Sequence, residues 1–450
     1  MSQHPQEPTR ASSSPTAAAP PDVVRSVTNR RVLLGSLSGS AIEWYDFLLY
    51  GTVAPIIFAK QFFPQGDPFV QLMAAYFGQA LTFLIRPLGG VFFAHIGDRV
   101  GRKKTLVMTL TIMGLGTVAI GLLPTYAQIG MAAPVLLYLF RIIQGLAIGG
   151  EWGGALLLAY EYAPRERRGF FGSMPQLGVT AGLLLGNAAV LLATLLPGDA
   201  FDSWGWRVPF VFSIVLVALG LWIRGGLDET PAFRALQETG QVEKTPLATT
   251  LREHWRAVLL AVGAKAAETA PFYILVTFIV GYATSKPLSY TRSDVLTAVL
   301  VGAAVATAAI PLMGILSDRL GRRPVYMAGV LLFGLSAFAY FPMVNSGKLW
   351  LFVLASVMSL GLAWAPVTAT LGTMMSETFT ANIRYTGVTL GYQIGAALFS
   401  GTAPMIALWL QHRAGGSWLP VALYWAGLTV LSFCSAWAAR HVAVRENQLA

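Results

Sequence analysis

GDRVGRK at 97–103 and SDRLGRR at 317–323 are two copies of one charged word. Asp98 and Asp318 stand 220 positions apart in a chain of 450 residues, and apolar runs flank both copies. A charged turn that recurs at about half the chain length, between runs long enough to cross a bilayer, predicts an internally duplicated membrane protein. A second echo agrees. Glu161 and Arg168 lie seven apart at the end of one run, Glu377 and Arg384 seven apart at the end of another, and these copies are separated by 216 positions.

Composition points the same way. Hydrophobic residues make up 55% of the chain and charged residues 12%, with a mean hydropathy of +0.60. That is too little charge to clothe a soluble surface of this size. The net charge of +10 sits in short segments between apolar runs, so it reads as a topology signal and not as a nucleic-acid surface. Cys434 is the single cysteine, which excludes an internal disulfide and a thiolate metal site. His4, His95, His254, His412 and His441 show no metal-ligand spacing, and no cofactor site is predicted. Residues 1–24, rich in Pro, Ser and Ala without an apolar stretch, read as a disordered tail and not as a cleaved signal peptide.

A helix needs roughly 20 apolar residues to cross about 30 Å of hydrocarbon. Runs of that kind fall at 32–59, 69–96, 105–124, 134–161, 170–197, 206–226, 255–284, 293–316, 325–342, 349–375, 385–411 and 418–439. The expected fold is therefore an all-α membrane protein of twelve transmembrane helices in two pseudo-symmetric six-helix bundles. Its parts would be a disordered tail at 1–30, a bundle at 31–227, a polar central loop at 228–253, a second bundle at 254–440 and a short tail at 441–450. Lys and Arg collect on one side of this plan, at Arg30, Arg31, Arg99, Arg102, Lys103, Arg168, Arg319, Arg322 and Arg384 among others. The other side carries Lys60, Arg207, Lys286, Arg292, Lys348 and Arg413. The positive-inside rule then places both termini in the cytoplasm, in a multi-pass protein of the cytoplasmic (inner) membrane.

The layout resembles the major facilitator superfamily and, within it, the metabolite:proton symporter family. The resemblance covers about residues 30–440 and rests on SAIEWYDFLLYG at 40–51, GDRVGRKK at 97–104, RIIQGLAIGGEWGGA at 141–155, ETPAF at 229–233, SDRLGRR at 317–323 and RYTGVTLGYQ at 384–393. Two departures are visible: Ala94 stands where the first loop word often begins with Gly, and Thr380 replaces a proline often found after the Glu. The resemblance implies alternating access, a small-molecule metabolite and protons as the transported partners, H+ as coupling ion, and a central cavity lined by spans 1, 4, 7 and 10. It also implies a monomer that uses no nucleic acid and performs no enzymatic step.

Ionisable residues inside the membrane cost about 2.5–3.5 kcal/mol each on insertion scales, which makes them functional candidates. Here they are Glu43 and Asp46 in span 1, Arg86 in span 2, Arg141 and Glu151 in span 4, and Lys265 and Glu268 in span 7. Glu43 and Asp46 are i, i+3 and share a helix face. Two carboxylates held close in a partly dry site repel each other, and such a pair can take and release a proton as the cavity alternately wets. They are the proton-coupling candidates, the alternative being a static salt bridge to Arg86 or Arg141. Arg141 can hold a carboxylate bidentately, or pair with Asp46 when the proton leaves, or serve as a structural partner. Lys265 is the second-half candidate for a charged substrate, unless it forms a self-contained pair with Glu268. Arg86 lies on a span that is commonly peripheral. Tyr50, Gln144, Tyr273, Tyr392 and Gln393 can add hydrogen bonds, whereas Trp364 and Phe272 read as packing. Gly145, Gly149 and Gly153, four apart, read as a close helix contact.

By resemblance the two charged words fasten a gate: Asp98 and Asp318 cap neighbouring helices, while Arg99, Arg102, Arg319 and Arg322, with Arg168 and Arg384, pair with carboxylates such as Glu161 and Glu377. The expected function is proton-driven import of a small organic acid. An anion entering a negative interior works against about 2.3 kcal/mol per charge per 100 mV and needs accompanying protons. Symport of a zwitterion such as proline or betaine is the alternative, against which the short stretch after span 12 lacks a heptad tail. Drug antiport is disfavoured because span 5 has Gly178, Gly182 and Gly186 but no Gly-Pro element, and a membrane sensor because no appended soluble domain is apparent. No Walker-type GxxxxGK[ST] and no HExxH occurs.

Overall fold

The computed structural model describes residues 37, 40–100, 102–149, 160, 163–225, 250, 252–285, 287–288, 290–379 and 383–447. Among them the secondary structure is helical throughout. In chain order the long elements are α1 at 40–61, α2 Pro68–Val100, α3 Arg102–Leu122, α4 Ala132–Ile148, α5 Arg168–Thr194, α6 Arg207–Gly225, α7 Trp255–Thr284, α8 Arg292–Leu320, α9 Arg322–Asn345 and α10 Leu349–Thr378. Two pieces, Arg384–Phe399 and Ala403–Arg413, form α11, and Leu419–Asn447 is α12. Glu151, Glu161 and nearly all of the 228–253 loop lie outside the described residues.

Eight of these segments are long and apolar enough to cross a membrane, and α3, α4 and α6 contribute shorter apolar stretches. Their outer surface is what lipid requires. Leu88, Leu192, Leu335 and Trp222 are more than half exposed on helix faces, a pattern untenable in water but neutral in hydrocarbon. Burial ranks the helices by position: 89% of the apolar window of α7 is buried, against 39% for α8, so α7 runs through the middle and α8 along the side.

The charged words are not loops. The apolar runs stop at 96 and 316, yet α2 continues to Val100 and α8 to Leu320. Polar residues extend a helix past the hydrocarbon without ending it, and apolar counting cannot register that extension. One residue makes the turn into α9: Gly321, at φ +93°, a conformation that side chains with a Cβ resist. The duplication also appears in the backbone. π-turns occupy Ala54–Phe58 in α1 and Ile274–Phe278 in α7, again 220 positions apart. Two further π segments are Phe201–Gly205, just before α6, and Val357–Ala363, inside α10.

Small residues set the spacing of α2 and α4. A Cβ on Gly145 would fall 2.5 Å from the Thr82 carbonyl oxygen, and one on Gly149 2.6 Å from the Gly90 nitrogen, so these two glycines serve close helix contact. Gly153 lies outside the described residues.

Candidate functional site

The two halves touch at both ends of the molecule. At the end bearing the charged words, Asp318 of α8 accepts hydrogen bonds from the backbone N–H groups of Gly169 (2.7 Å) and Phe170 (2.9 Å), the first turn of α5. Helix N-termini present unpaired donors and partial positive charge, so a carboxylate there is held by both. Arg322 clamps the same carboxylate at 2.7 Å and approaches Glu377 at 3.3 Å. Arg384 donates to the Ser376 carbonyl at 2.8 Å, and Arg168 lies over the Tyr160 ring at 4.6 Å. Arg319 is exposed. The side chains of Asp98, Arg99 and Arg102 are outside what is described, as is Glu161. Nearer the centre, Gln393 of α11 donates to the Gly149 carbonyl at 2.8 Å, so this nominated residue ties the halves together.

At the opposite end, Arg292 pairs with Asp202 at 2.7 Å, Phe69 stacks on His412 at 4.0 Å, and the Tyr76 hydroxyl reaches the Thr277 carbonyl at 3.4 Å. Contacts across both ends leave an occluded conformer with a small central cavity. Its wall comes from Trp44 of α1, Phe83 and Arg86 of α2 and Val179 of α5, facing residues of α7, α10 and α11. No described residue of α4 lines it, in contrast to the expectation that spans 1, 4, 7 and 10 do so.

On the second-half side, Lys265 and Glu268 form an ion pair along one face of α7. The Lys265 ammonium sits 3.5 Å from the centre of the Tyr392 ring, and Glu268 Oε1 accepts from the Thr368 hydroxyl at 3.1 Å. Trp364 donates its indole N–H to the Glu268 carbonyl at 2.7 Å and stacks on Phe272 at 4.7 Å. Both rings, read from sequence as packing, therefore stand in the cavity wall. The Tyr273 hydroxyl is buried without a partner among the described residues, and Thr269 and Ser400 share a hydrogen bond of 2.6 Å at the break in α11. Thr368, Thr269 and Ser400 carry no sequence signal that separates them from ordinary membrane-helix hydroxyls.

On the first-half side the arginines divide. The Arg86 guanidinium is buried over the rings of Phe83 (5.2 Å), Trp44 and Phe47 (both 5.9 Å), and its Nε makes no hydrogen bond among the described residues. Glu43 and Glu268 both lie within its electrostatic reach. Arg141 is occupied elsewhere. Its Nη1 donates to Gln144 at 2.7 Å, its Nε to the Gly78 carbonyl at 3.3 Å, and the Tyr50 ring covers it at 4.0 Å. Tyr50 in turn spends its hydroxyl on the Ala75 carbonyl at 2.9 Å. These local partners hold Arg141 inside the first half, behind Phe47 and Tyr50. Asp46 turns toward α6, where the Ser213 hydroxyl donates to Oδ1, and is buried with Oδ2 lacking a partner among the described residues. The i, i+3 spacing put Glu43 and Asp46 on one face; their neighbours draw them to different partners.

Comparison with known proteins follows the geometry. Residues 32–254 match the family model described as Sugar (and other) transporter. The shikimate transporter of Escherichia coli K12 is 40% identical over 88% of this chain and 91% of its own length. The inner membrane metabolite transport protein YhjE of the same organism is 40% identical over 92% and 95%. The proline/betaine transporter of Salmonella typhimurium is 37% identical over 87% and 79%. Among solved structures, the xylose transporter XylE of E. coli in a partially occluded inward-open conformation superimposes with a TM-score of 0.72 at 15% identity, covering 92% of this chain and 98% of that one, and so shows a shared fold.

Proposed function

The chain belongs to the metabolite:proton symporter family of the major facilitator superfamily, an integral multi-pass inner-membrane protein, and on that premise we propose that it imports a small organic acid with protons. The proposed frame is twelve crossings with both termini cytoplasmic, divided into bundles at 31–227 and 254–440 around the 228–253 loop, acting as a monomer. The basic residues on the side of the charged words support this orientation.

The observation that carries the substrate class is the cavity wall. Of its charged members, Lys265 and Glu268 neutralise one another, while Arg86 faces the same space with a guanidinium nitrogen that makes no hydrogen bond among the described residues. A carboxylate there would gain a charge-assisted bond in a water-poor site. The rings of Trp44, Phe83, Phe272 and Trp364 suit a compact carbon skeleton, and Tyr273 and Tyr392 suit its hydroxyl groups. Asp46 serves as the proton-coupling acid in this scheme, away from the substrate. Glu43, close to Arg86, adjusts the charge that the substrate meets.

A second reading, symport of a zwitterion, is favoured by the same aromatic wall, because a quaternary amine binds ring faces. Proteoliposomes with an inwardly directed proton gradient separate the two. Labelled shikimate should accumulate and a protonophore should abolish the accumulation. Accumulation of proline or glycine betaine alone would replace the acid by the zwitterion, and accumulation of none would remove proton symport of these classes.

A further inference from the structure

Asp46 and Arg141 do not touch, yet two side chains connect them. The Thr117 hydroxyl of α3 is within reach of the Asp46 carboxylate, whose Oδ2 has no hydrogen-bond partner among the described residues in this conformer. Thr117 Oγ1 accepts from Gln144 Nε2 at 2.9 Å and donates to the Met113 carbonyl at 3.1 Å. Gln144 Oε1 accepts from Arg141 Nη1 at 2.7 Å. All four side chains are buried. Gly114, one turn before Thr117 on α3, makes room for the Val217 methyl of α6, which would stand 1.8 Å from a Cβ there, and that same Cβ position is 3.5 Å from Asp46 Oδ2, so α3 passes close to the acid.

We propose that Thr117 and Gln144 are positioning residues that carry the proton occupancy of Asp46 to Arg141, an inference that rests on reading Asp46 as the coupling acid. The hydroxyl of Thr117 has one proton to give. While Oδ2 holds a proton, the acid donates to Thr117, and Thr117 keeps its own hydrogen on the Met113 carbonyl. When that proton leaves to water on the open side, the carboxylate left behind needs a donor, and the Thr117 hydroxyl turns to it. The Met113 carbonyl is then released to Gln144 Nε2, which already stands 3.4 Å from it. The amide swings toward Met113 and takes Oε1 from its place against Arg141. Arg141, whose Nη2 has no partner among the described residues, is then the group that moves. No covalent bond changes, and the only particle transferred is the proton.

The charged and titratable neighbours are few. Glu43 and Tyr45 lie on the same helix, Arg86 on α2 and Arg141 on α4, with Lys265 and Glu268 on α7 across the cavity. Among the described residues, the other packed elements offer neutral groups near the acid: Thr117 on α3 and Ser213 on α6.

Infrared difference titration of the purified full-length protein tests the relay without a substrate. A carboxyl band lost in Asp46→Asn reports the acid. In Thr117→Val that band should change position and its midpoint should move by about one pH unit, the scale of one hydrogen bond; Thr117→Ser should restore both. Gln144→Leu is decisive, because Gln144 does not touch Asp46: its midpoint should move as well. A wild-type band and midpoint in Gln144→Leu, or no band sensitive to Asp46→Asn, overturns the relay. Proton-gradient uptake of shikimate, proline and glycine betaine by the same preparation is read separately. Lost uptake with a Gln144-dependent titration removes the symport reading, and normal uptake with a Gln144-independent titration removes only the relay.

Discussion

The two halves share a scaffold and differ in chemistry. Moving by 220 positions maps Asp98 on Asp318 and the π-turn of α1 on that of α7. The same shift sets Lys265 against Tyr45, Glu268 against Leu48, Asp46 against Ala266 and Arg86 against Ala306. Not one charged residue of the membrane interior is repeated. Backbone features, the turns and the helix ends, have been kept in both copies, whereas the ionisable groups have been dealt out singly. In the second half a carboxylate and an ammonium neutralise each other inside the cavity. In the first half a carboxyl is walled off by Ser213, and an arginine is held by Gln144. In the proposed mechanism duplication supplies motion, and the asymmetry supplies a place for proton and substrate to be handled apart.

The strongest way to break this division is at Asp46. Asp46→Asn keeps the shape and removes the exchangeable proton. Accumulation against a gradient should fall to simple equilibration, while exchange of labelled for unlabelled substrate continues. Glu268→Gln, in the other half, should instead alter substrate affinity. If both variants lost accumulation and kept affinity, proton and substrate sites would not be divided between the halves.

The arginines give a sharper test within the first half. Arg86→Lys removes a planar donor from the cavity wall and should raise the half-saturating concentration of a labelled carboxylate about 10- to 100-fold, the worth of roughly 1.5–3 kcal/mol in charge-assisted bonding. Arg141→Lys should move it less. The reverse order would restore Arg141 as the anion ligand.

That pair of residues also shows how far the sequence could be read. Hydropathy located nearly every helix, and the repeated word located the ends that meet at Asp318, because both depend on local composition. The direction in which an arginine points depends on which neighbours reach it first. Arg141 has Gln144 at i+3 on its own helix, a spacing visible in the sequence, where it was read as part of a family word and not as a tether. Arg86 is a weaker substrate-binding candidate in the sequence than Arg141 or Lys265 because its span is commonly peripheral, and only the packing of Phe83 and Arg86 against α7 and α11 brings it to the cavity. Thr117 and Ser213 were illegible, since a hydroxyl in a membrane helix most often bonds its own backbone, and what sets these two apart is an acid on another helix.

The gate residues compare the two copies directly. Asp318→Asn keeps one oxygen to accept from the first turn of α5, sets an NH2 donor where the second N–H needs an acceptor, and removes the charge, about 1–2 kcal/mol in a partly buried setting. The rate of uptake should fall about tenfold with less than a twofold change in half-saturation. Asp98→Asn should do the same if the first copy of the word caps a helix as the second does. A normal rate in Asp98→Asn alone would mean that the gate is as asymmetric as the cavity.

The smallest effect is expected at the other end of the molecule, where the halves meet through Asp202 and Arg292 with side chains 48% and 30% exposed. An ion pair that wet contributes about 0.2–1 kcal/mol. Gln61 also donates to the Asp202 backbone carbonyl, a bond that substitution of the side chain leaves intact. Asp202→Asn should therefore change the uptake rate less than about fivefold. The difference from wild type should vanish near 1 M salt, where charges are screened beyond roughly 3 Å. The Asp318 effect should persist there, since its carboxylate is nearly buried and bonded to backbone amides. A salt-resistant loss at Asp202 comparable to that at Asp318 would show that both ends are fastened with similar strength, and that closing the far end costs the transporter as much as closing the near one.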